Sequence, residues 1–328
     1  MDKLTDKLIS IFATNNFSEI KNDTEFLELY KKYKNESLFK NVVATLTEIK
    51  EDLDLRYDGC NSAKEQVIEA LYFMNEIVHE RDDTLSDNTF NLILKMSENF
   101  WTDKQTQHFI GSYNAMLNKT DYFFSYTDRN PNSPNLNSIN RRYKHLIIHL
   151  LGEDKYKNED KNKKNLLAES LNSFFQGHGL KGFYYPREEG TSYPVDEKLT
   201  HSLKNSYVFI QLIQNIMFTK PEQKNGEKKK NYCHKEFKTA TNHFSNDNQC
   251  MKFLLAERNH DSLVDPVEVP RSYQKWYHRI AKSSAFEIAF TEKEDPDKII
   301  GVKDSIREKV VEDIKKSKWE FLLAVPSD

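Results

Sequence analysis

The stretch Asp121-Tyr122-Phe123-Phe124-Ser125-Tyr126 is where the chain changes character. It is a short, largely aromatic run, and comparable apolar runs recur at 180–185, 207–213, 251–255 and 286–290. Segments with helical spacing lie around them, at about 138–151, 166–175, 195–203, 232–243 and 305–316. Strands that alternate with helices in this way specify a parallel α/β sheet. Pro194 ahead of Val195, followed by Asp196 and Glu197, is a helix start. Proline fits the first helical position and acids suit the positive end of the helix dipole. Gly177-His178-Gly179 is an equally clear stop before the second run. Lysine-rich tracts at 155–164 and 220–230 lack apolar periodicity and read as solvated loop insertions, and the final 318–325 run fits either strand or helix.

Upstream of Asp121 the punctuation is different. All nine prolines fall at or after Pro131, and only Gly59 and Gly111 of the nine glycines precede it. Leu4, Leu8, Ile11 and Phe12 form one stripe at helical spacing, and Val67, Leu71, Met74 and Val78 form another. Ser62-Ala63-Lys64-Glu65 and Thr102-Asp103-Lys104-Gln105 have the spacing of capping boxes, in which a hydroxyl and a Glu or Gln three residues on exchange bonds with backbone N–H groups. We therefore expect an all-α domain over residues 1–118 and an α/β domain over 119–328.

Composition agrees with two folded domains. The chain has 328 residues, 38% of them hydrophobic and 12% aromatic, which is ample for packed cores. Lys and Arg number 48 against 51 Asp and Glu, so there is no whole-chain basic field to attract nucleic acid or an anionic membrane. The opening Met1-Asp2-Lys3-Leu4-Thr5-Asp6 lacks the features of a signal peptide, and no run approaches the ~20 apolar residues of a membrane span. Cys60, Cys233 and Cys250 form no CxxC pair, which argues against a disulfide framework or a Cys-rich zinc site. The expectation is a cytoplasmic, metal-free protein.

In an open parallel sheet with strand order 2-1-3-4-5, ligands bind beyond the carboxyl ends of the strands, at the switch point between the first and third. Neither a GxGxxG nor a GxxxxGK[ST] stretch follows any candidate strand, so a hydride-transfer dinucleotide fold and a P-loop NTPase are both unsupported. The residues there do carry a resemblance. Asp121 to Tyr126 resembles the first-strand box of a Toll/interleukin-receptor (TIR) domain. Gly182-Phe183-Tyr184-Tyr185, with Gly190 following and a helix containing Leu199 and Ser206, resembles the second strand, its BB loop and the next helix. Tyr232-Cys233-His234-Lys235-Glu236 resembles the family's Trp-Cys-x-x-Glu segment, with Tyr232 in place of Trp, and Tyr185 stands where Asp is common.

The resemblance implies a flavodoxin-like TIR domain: a five-stranded parallel sheet with helices on both faces. It further implies cleavage of the nicotinamide-ribose bond of NAD+, which is substrate and not cofactor, by Glu236 as the catalytic residue. Ser125, Tyr126, Arg129, Tyr185 and Tyr232 would be the substrate contacts. Self-association would run through a BB loop containing Arg187, Glu188, Gly190 and Tyr193. Such proteins act as bacterial antiphage or immune-signalling effectors switched on by oligomerisation, here with a trigger acting through residues 1–118. The alternatives within the family are an enzyme that makes a cyclic ADP-ribose-type signal and a non-catalytic scaffold.

Two further pairs invite chemistry. Cys233 beside His234 could suggest a thiol nucleophile, but adjacent helix residues point about 100° apart, which favours a buried structural cysteine. His145 and His149 have ligand spacing but Leu146, Ile147 and Ile148 between them, which reads as packing.

Overall fold

A computed structural model describes residues 2–79, 82–127, 134–161, 164–184, 195–218, 231–244, 250–256, 265–283, 285–291 and 299–327. Its contacts divide the chain into two compact units, one of residues 1–118 with 320–328, the other of residues 119–319. The last nine residues thus belong to the first unit and not to the sheet.

The first unit is helical: α1 (Asp2–Thr14), α2 (Thr24–Tyr33), α3 (Ser37–Asp58), α4 (Ala63–His79), α5 (Asp83–Ser97) and α6 (Asp103–Asn118). Leu4, Leu8 and Phe12 of α1 and Val67, Leu71 and Met74 of α4 are buried, so both apolar stripes face the core. Both capping boxes are made. Glu65 N donates to Ser62 Oγ at 3.2 Å while Ser62 N donates to Glu65 Oε2 at 3.0 Å. Likewise Thr102 N donates to Gln105 Oε1 at 2.9 Å. Each reciprocal pair satisfies backbone donors that a helix start otherwise leaves bare.

The second unit is built on β1 (Thr120–Ser125), β2 (Gly182–Tyr184), β3 (Ser206–Ile213), β4 (Met251–Leu255) and β5 (Phe286–Glu287), all parallel in the order β2-β1-β3-β4-β5. Its helices are α7 (Pro134–Arg142), α8 (Lys144–Leu151), α9 (Glu153–Asn158), α10 (Leu166–Gly177), α11 (Val195–Lys204), α12 (Tyr232–His243), α13 (Gln274–Lys282) and α14 (Asp304–Leu322). The strands read as largely apolar runs because both faces of the sheet are covered. On one face Tyr122 donates from its hydroxyl to Asn172 Oδ1 of α10 at 2.8 Å, and Phe124 packs on Phe175. On the other, Phe123, Phe209, Phe253 and Leu255 join Leu199 and Leu203 of α11, Phe237 of α12 and Trp276 and Ile280 of α13 in one buried core. Gly182 has no substitute in this arrangement, since a Cβ there would fall inside the buried Tyr122 ring.

Four expectations are corrected. The run at 286–290 is not one strand: β5 stops at Glu287, and β6 (Ala289–Thr291) pairs antiparallel with β7 (Ile299–Val302), a strand the sequence did not announce. The helix expected at 138–151 is two helices divided at Tyr143, which is buried. The tract at 155–164 begins inside α9, which buries Tyr156, so it is not loop throughout. His145 and His149 are exposed and not packed; His149 lies 3.3 Å from Asp304, and no metal-holding group occurs among the described residues. The tract at 220–230 lies outside the described residues. Among them, no helix is long and apolar enough to cross a membrane.

Candidate functional site

The carboxyl edge of the sheet gathers its chemistry at β1, β3 and the start of α12. Ser125 is the last residue of β1 and lies in register with Gln211 of β3, so the two side chains leave the same face of the sheet. Asn231 caps α12: its Oδ1 accepts from His234 N at 3.2 Å while its Nδ2 donates to Met217 O at 2.8 Å. That cap fixes the helix start beside the strand ends. Glu236, one turn into α12, then meets β1. Ser125 Oγ donates to Glu236 Oε2 at 2.6 Å.

Glu236 lines a shallow depression of about 10 Å³ together with Leu199, Thr200 and Leu203 of α11 and Tyr232, Lys235 and Thr239 of α12. Tyr232 and Glu236 share this surface because residues four apart lie on one helix face, and Tyr232 is 41% exposed. Burial pushes the Glu236 carboxyl up to about 8, against which the Ser125 hydrogen bond acts to favour the ionised form. No ion pair with Glu236 occurs among the described residues to offset that burial.

Gln211 and Trp276 complete the arrangement. Gln211 Nε2 donates to Ser125 Oγ at 2.9 Å and to Cys233 O at 3.0 Å, and Trp276 Nε1 donates to Gln211 Oε1 at 2.9 Å. Neither residue was singled out from the sequence. Gln211 interrupts the apolar run of β3, and a polar residue at 0% exposure inside a central strand was the signal to follow. Neither a protein-family model, nor a curated protein, nor a solved structure matches this chain. The site is therefore read from its own geometry.

Among the expected contacts, the structure brings Ser125, Tyr232 and Glu236 together. The Tyr126 ring stacks on Tyr184 at 5.0 Å, on the other face of the sheet, and its carbonyl accepts from Cys233 Sγ of α12 at 3.3 Å. Tyr126 thus belongs to an aromatic pair beside the strand ends and not to the Glu236 depression. Arg129, Tyr185, Arg187, Glu188, Gly190 and Tyr193 lie outside the described residues. Cys233 is buried, while His234 stacks its ring on Trp276 and meets Tyr273 edge-on at 4.5 Å. Burial holds His234 down at about 4, so it is neutral near pH 7 and packed against aromatics instead of serving a thiol.

A lone carboxyl with a raised proton affinity, open on one side and held by one hydroxyl, can do two things. It can take a proton near neutral pH, and it can ionise when a cation enters.

Proposed function

We propose that this chain is a TIR-like NAD glycohydrolase in which Glu236 carries the reaction. The observation that bears most weight is the Ser125-bound, desolvated Glu236 at the carboxyl edge between β1 and β3. The strand order 2-1-3-4-5 is that of flavodoxin-like sheets, whose switch point lies at this edge, and the resemblance of the surrounding segments to TIR boxes points the same way. The raised affinity of Glu236 for a proton suits the substrate. NAD+ brings a positive pyridinium, and a cation within a few ångströms favours the ionised carboxylate. Glu236 is largely protonated when the site is empty and ionises as the cationic substrate binds.

Chemistry then follows from charge. The bond between ribose C1′ and the pyridinium nitrogen breaks, its electron pair stays on nitrogen, and nicotinamide leaves neutral. Positive charge moves onto the ribose as an oxocarbenium-like ion, which the Glu236 carboxylate stabilises. A water adds to C1′, and its proton passes to Glu236. No acid is needed on the leaving group. The depression has about 10 Å³ of room, enough for one water-sized group and far below the roughly 300 to 1,000 Å³ of pockets that enclose whole ligands, so substrate must also contact residues beyond it. The segments 128–133 and 185–194 follow β1 and β2 in sequence and are the places to seek contacts for the remainder of the dinucleotide.

The test is to incubate the purified chain with NAD+ and identify products by mass spectrometry. Nicotinamide with linear ADP-ribose is the expected result. Nicotinamide with a cyclised ADP-ribose would make the protein a cyclase using the same cleavage step. Unchanged NAD+ across protein concentrations would refute the enzymatic reading in favour of a scaffold.

A further inference from the structure

We propose that Gln211 and Trp276 are positioning residues that set the direction of a hydrogen-bond chain ending on Glu236. The argument is one of donors and acceptors. An indole N–H can only donate, so the atom of Gln211 that meets Trp276 Nε1 at 2.9 Å must be its oxygen. The two amide hydrogens of Gln211 are thereby turned to Ser125 Oγ and to the carbonyl of Cys233. A flipped amide would set N–H against N–H at Trp276 and oxygen against oxygen at Cys233. Two bonds oppose that flip, in a place where Gln211 and Trp276 are both 0% exposed.

Ser125 inherits the direction. Its oxygen already accepts from Gln211, so its single proton goes to Glu236 Oε2 at 2.6 Å. The chain runs one way, from Trp276 to Gln211 to Ser125 to Glu236. A carboxyl that accepts a bond it cannot return is favoured in its ionised state. Oε2 is held, which leaves Oε1 for a ligand. Among the described residues, Ser125 is the one donor to Glu236.

The groups around Glu236 make this chain the main counterweight to burial. Tyr232 and Lys235 share its helix and the depression, α11 contributes Leu199, Thr200 and Leu203, and β1 contributes Ser125. His234 turns away towards Tyr273 and Trp276. The bearing of the chain on turnover rests on the glycohydrolase reading, whereas its direction does not.

The experiment follows the Glu236 side chain by ¹³C NMR titration in protein labelled at glutamate, with the resonance assigned by its loss in Glu236→Gln. Gln211→Met removes the donor to Ser125 and should raise the Glu236 midpoint by about half a unit to one unit. In a Ser125→Ala background the same change should add nothing, because Gln211 acts through Ser125. An unchanged midpoint, or an equal rise in both backgrounds, overturns the proposal. A second measurement needs no substitution in the chain: in the unaltered protein the Gln211 side-chain amide and the Trp276 indole N–H resonances should shift with the Glu236 midpoint. Resonances that stay still through that titration overturn the proposal as well, whether or not Gln211→Met folds. With NAD+ present, Gln211→Met should lower kcat about tenfold with KM unchanged. Absence of turnover in the unaltered chain would count against the glycohydrolase reading alone, since the titrations judge the chain of bonds without substrate.

Discussion

Glu236→Gln should make the protein more stable at alkaline pH while leaving it unchanged in acid. The carboxyl has an ordinary value of 4.5 and is pushed up to about 8 by burial. Its folded-state affinity for a proton therefore exceeds that of the unfolded chain. Between about pH 4.5 and 8 the folded protein keeps a proton that the unfolded protein has released, so wild-type stability falls as pH rises through that window. At about 1.36 kcal/mol per unit the full difference has a ceiling of about 5 kcal/mol. Glu236 is only half-buried as a residue and lines the depression, so we take ~2 to 3 kcal/mol as the working figure. Glutamine keeps the shape and cannot ionise. For a unit of this size, ~2 to 3 kcal/mol corresponds to roughly 5 to 10 °C in melting temperature. The assay is thermal unfolding followed by tryptophan fluorescence at pH 5 and pH 9, with Trp276 and Trp319 reporting on the sheet unit. Wild type and Glu236→Gln should melt together at pH 5, and the variant should melt higher at pH 9. Parallel curves, or a variant that is less stable at both pH values, would refute the view that Glu236 is an ionisable group held at a cost to stability. If Glu236 has the catalytic role proposed above, a gain in stability on its loss is the expected trade between function and folding.

Other perturbations test the scaffold and the assembly. Gly182→Ala should destabilise the sheet unit by ~2 to 4 kcal/mol because its methyl meets the fixed Tyr122 ring, and pairing it with Tyr122→Leu should recover part of the loss in a urea titration. Residues 1–118 expressed alone should show a cooperative helical transition by circular dichroism. That transition should move to higher temperature when a peptide of residues 320–328 is added, because Leu322 and Val325 are buried and His108 Nε2 lies 2.8 Å from the Leu322 carbonyl oxygen. If TIR-type assembly switches the site on, specific activity should rise with protein concentration, and Arg187→Glu and Tyr193→Ala should blunt that rise. Flat activity over a hundredfold dilution with both variants normal would make the site self-contained.

The parts of this fold that can be read from the sequence are those with local causes. The reciprocal bonds at Ser62 and Glu65 follow from a three-residue spacing, and α12 begins where its pattern does because Asn231 supplies the cap. The fourth run matches β4 at both ends. Tertiary causes hid the remainder. Helix α13 has only nine residues, and its apolar side is just Trp276, Tyr277 and Ile280 between charged neighbours, too little for a periodic signal. Yet it supplies the indole that orients Gln211. The shortened fifth strand is set by pairing, since β6 turns to meet β7 instead of continuing beside β4. Glu236 could be singled out through a resemblance of its segment, but its bond to Ser125 joins positions 111 residues apart and could only be seen in the folded chain.

The central claim is that the ionised carboxyl of Glu236 cleaves NAD+, and its most direct test is the pH dependence of kcat/KM for nicotinamide release by wild type and Glu236→Gln. If the free protein reacts through ionised Glu236, as this claim requires, wild-type kcat/KM should climb with pH and level off above about 8, the value to which burial pushes this carboxyl. Glu236→Gln should lie roughly 10² or more below it with no such rise. A folded Glu236→Gln protein that retains both the wild-type rate and the wild-type pH profile would contradict the account.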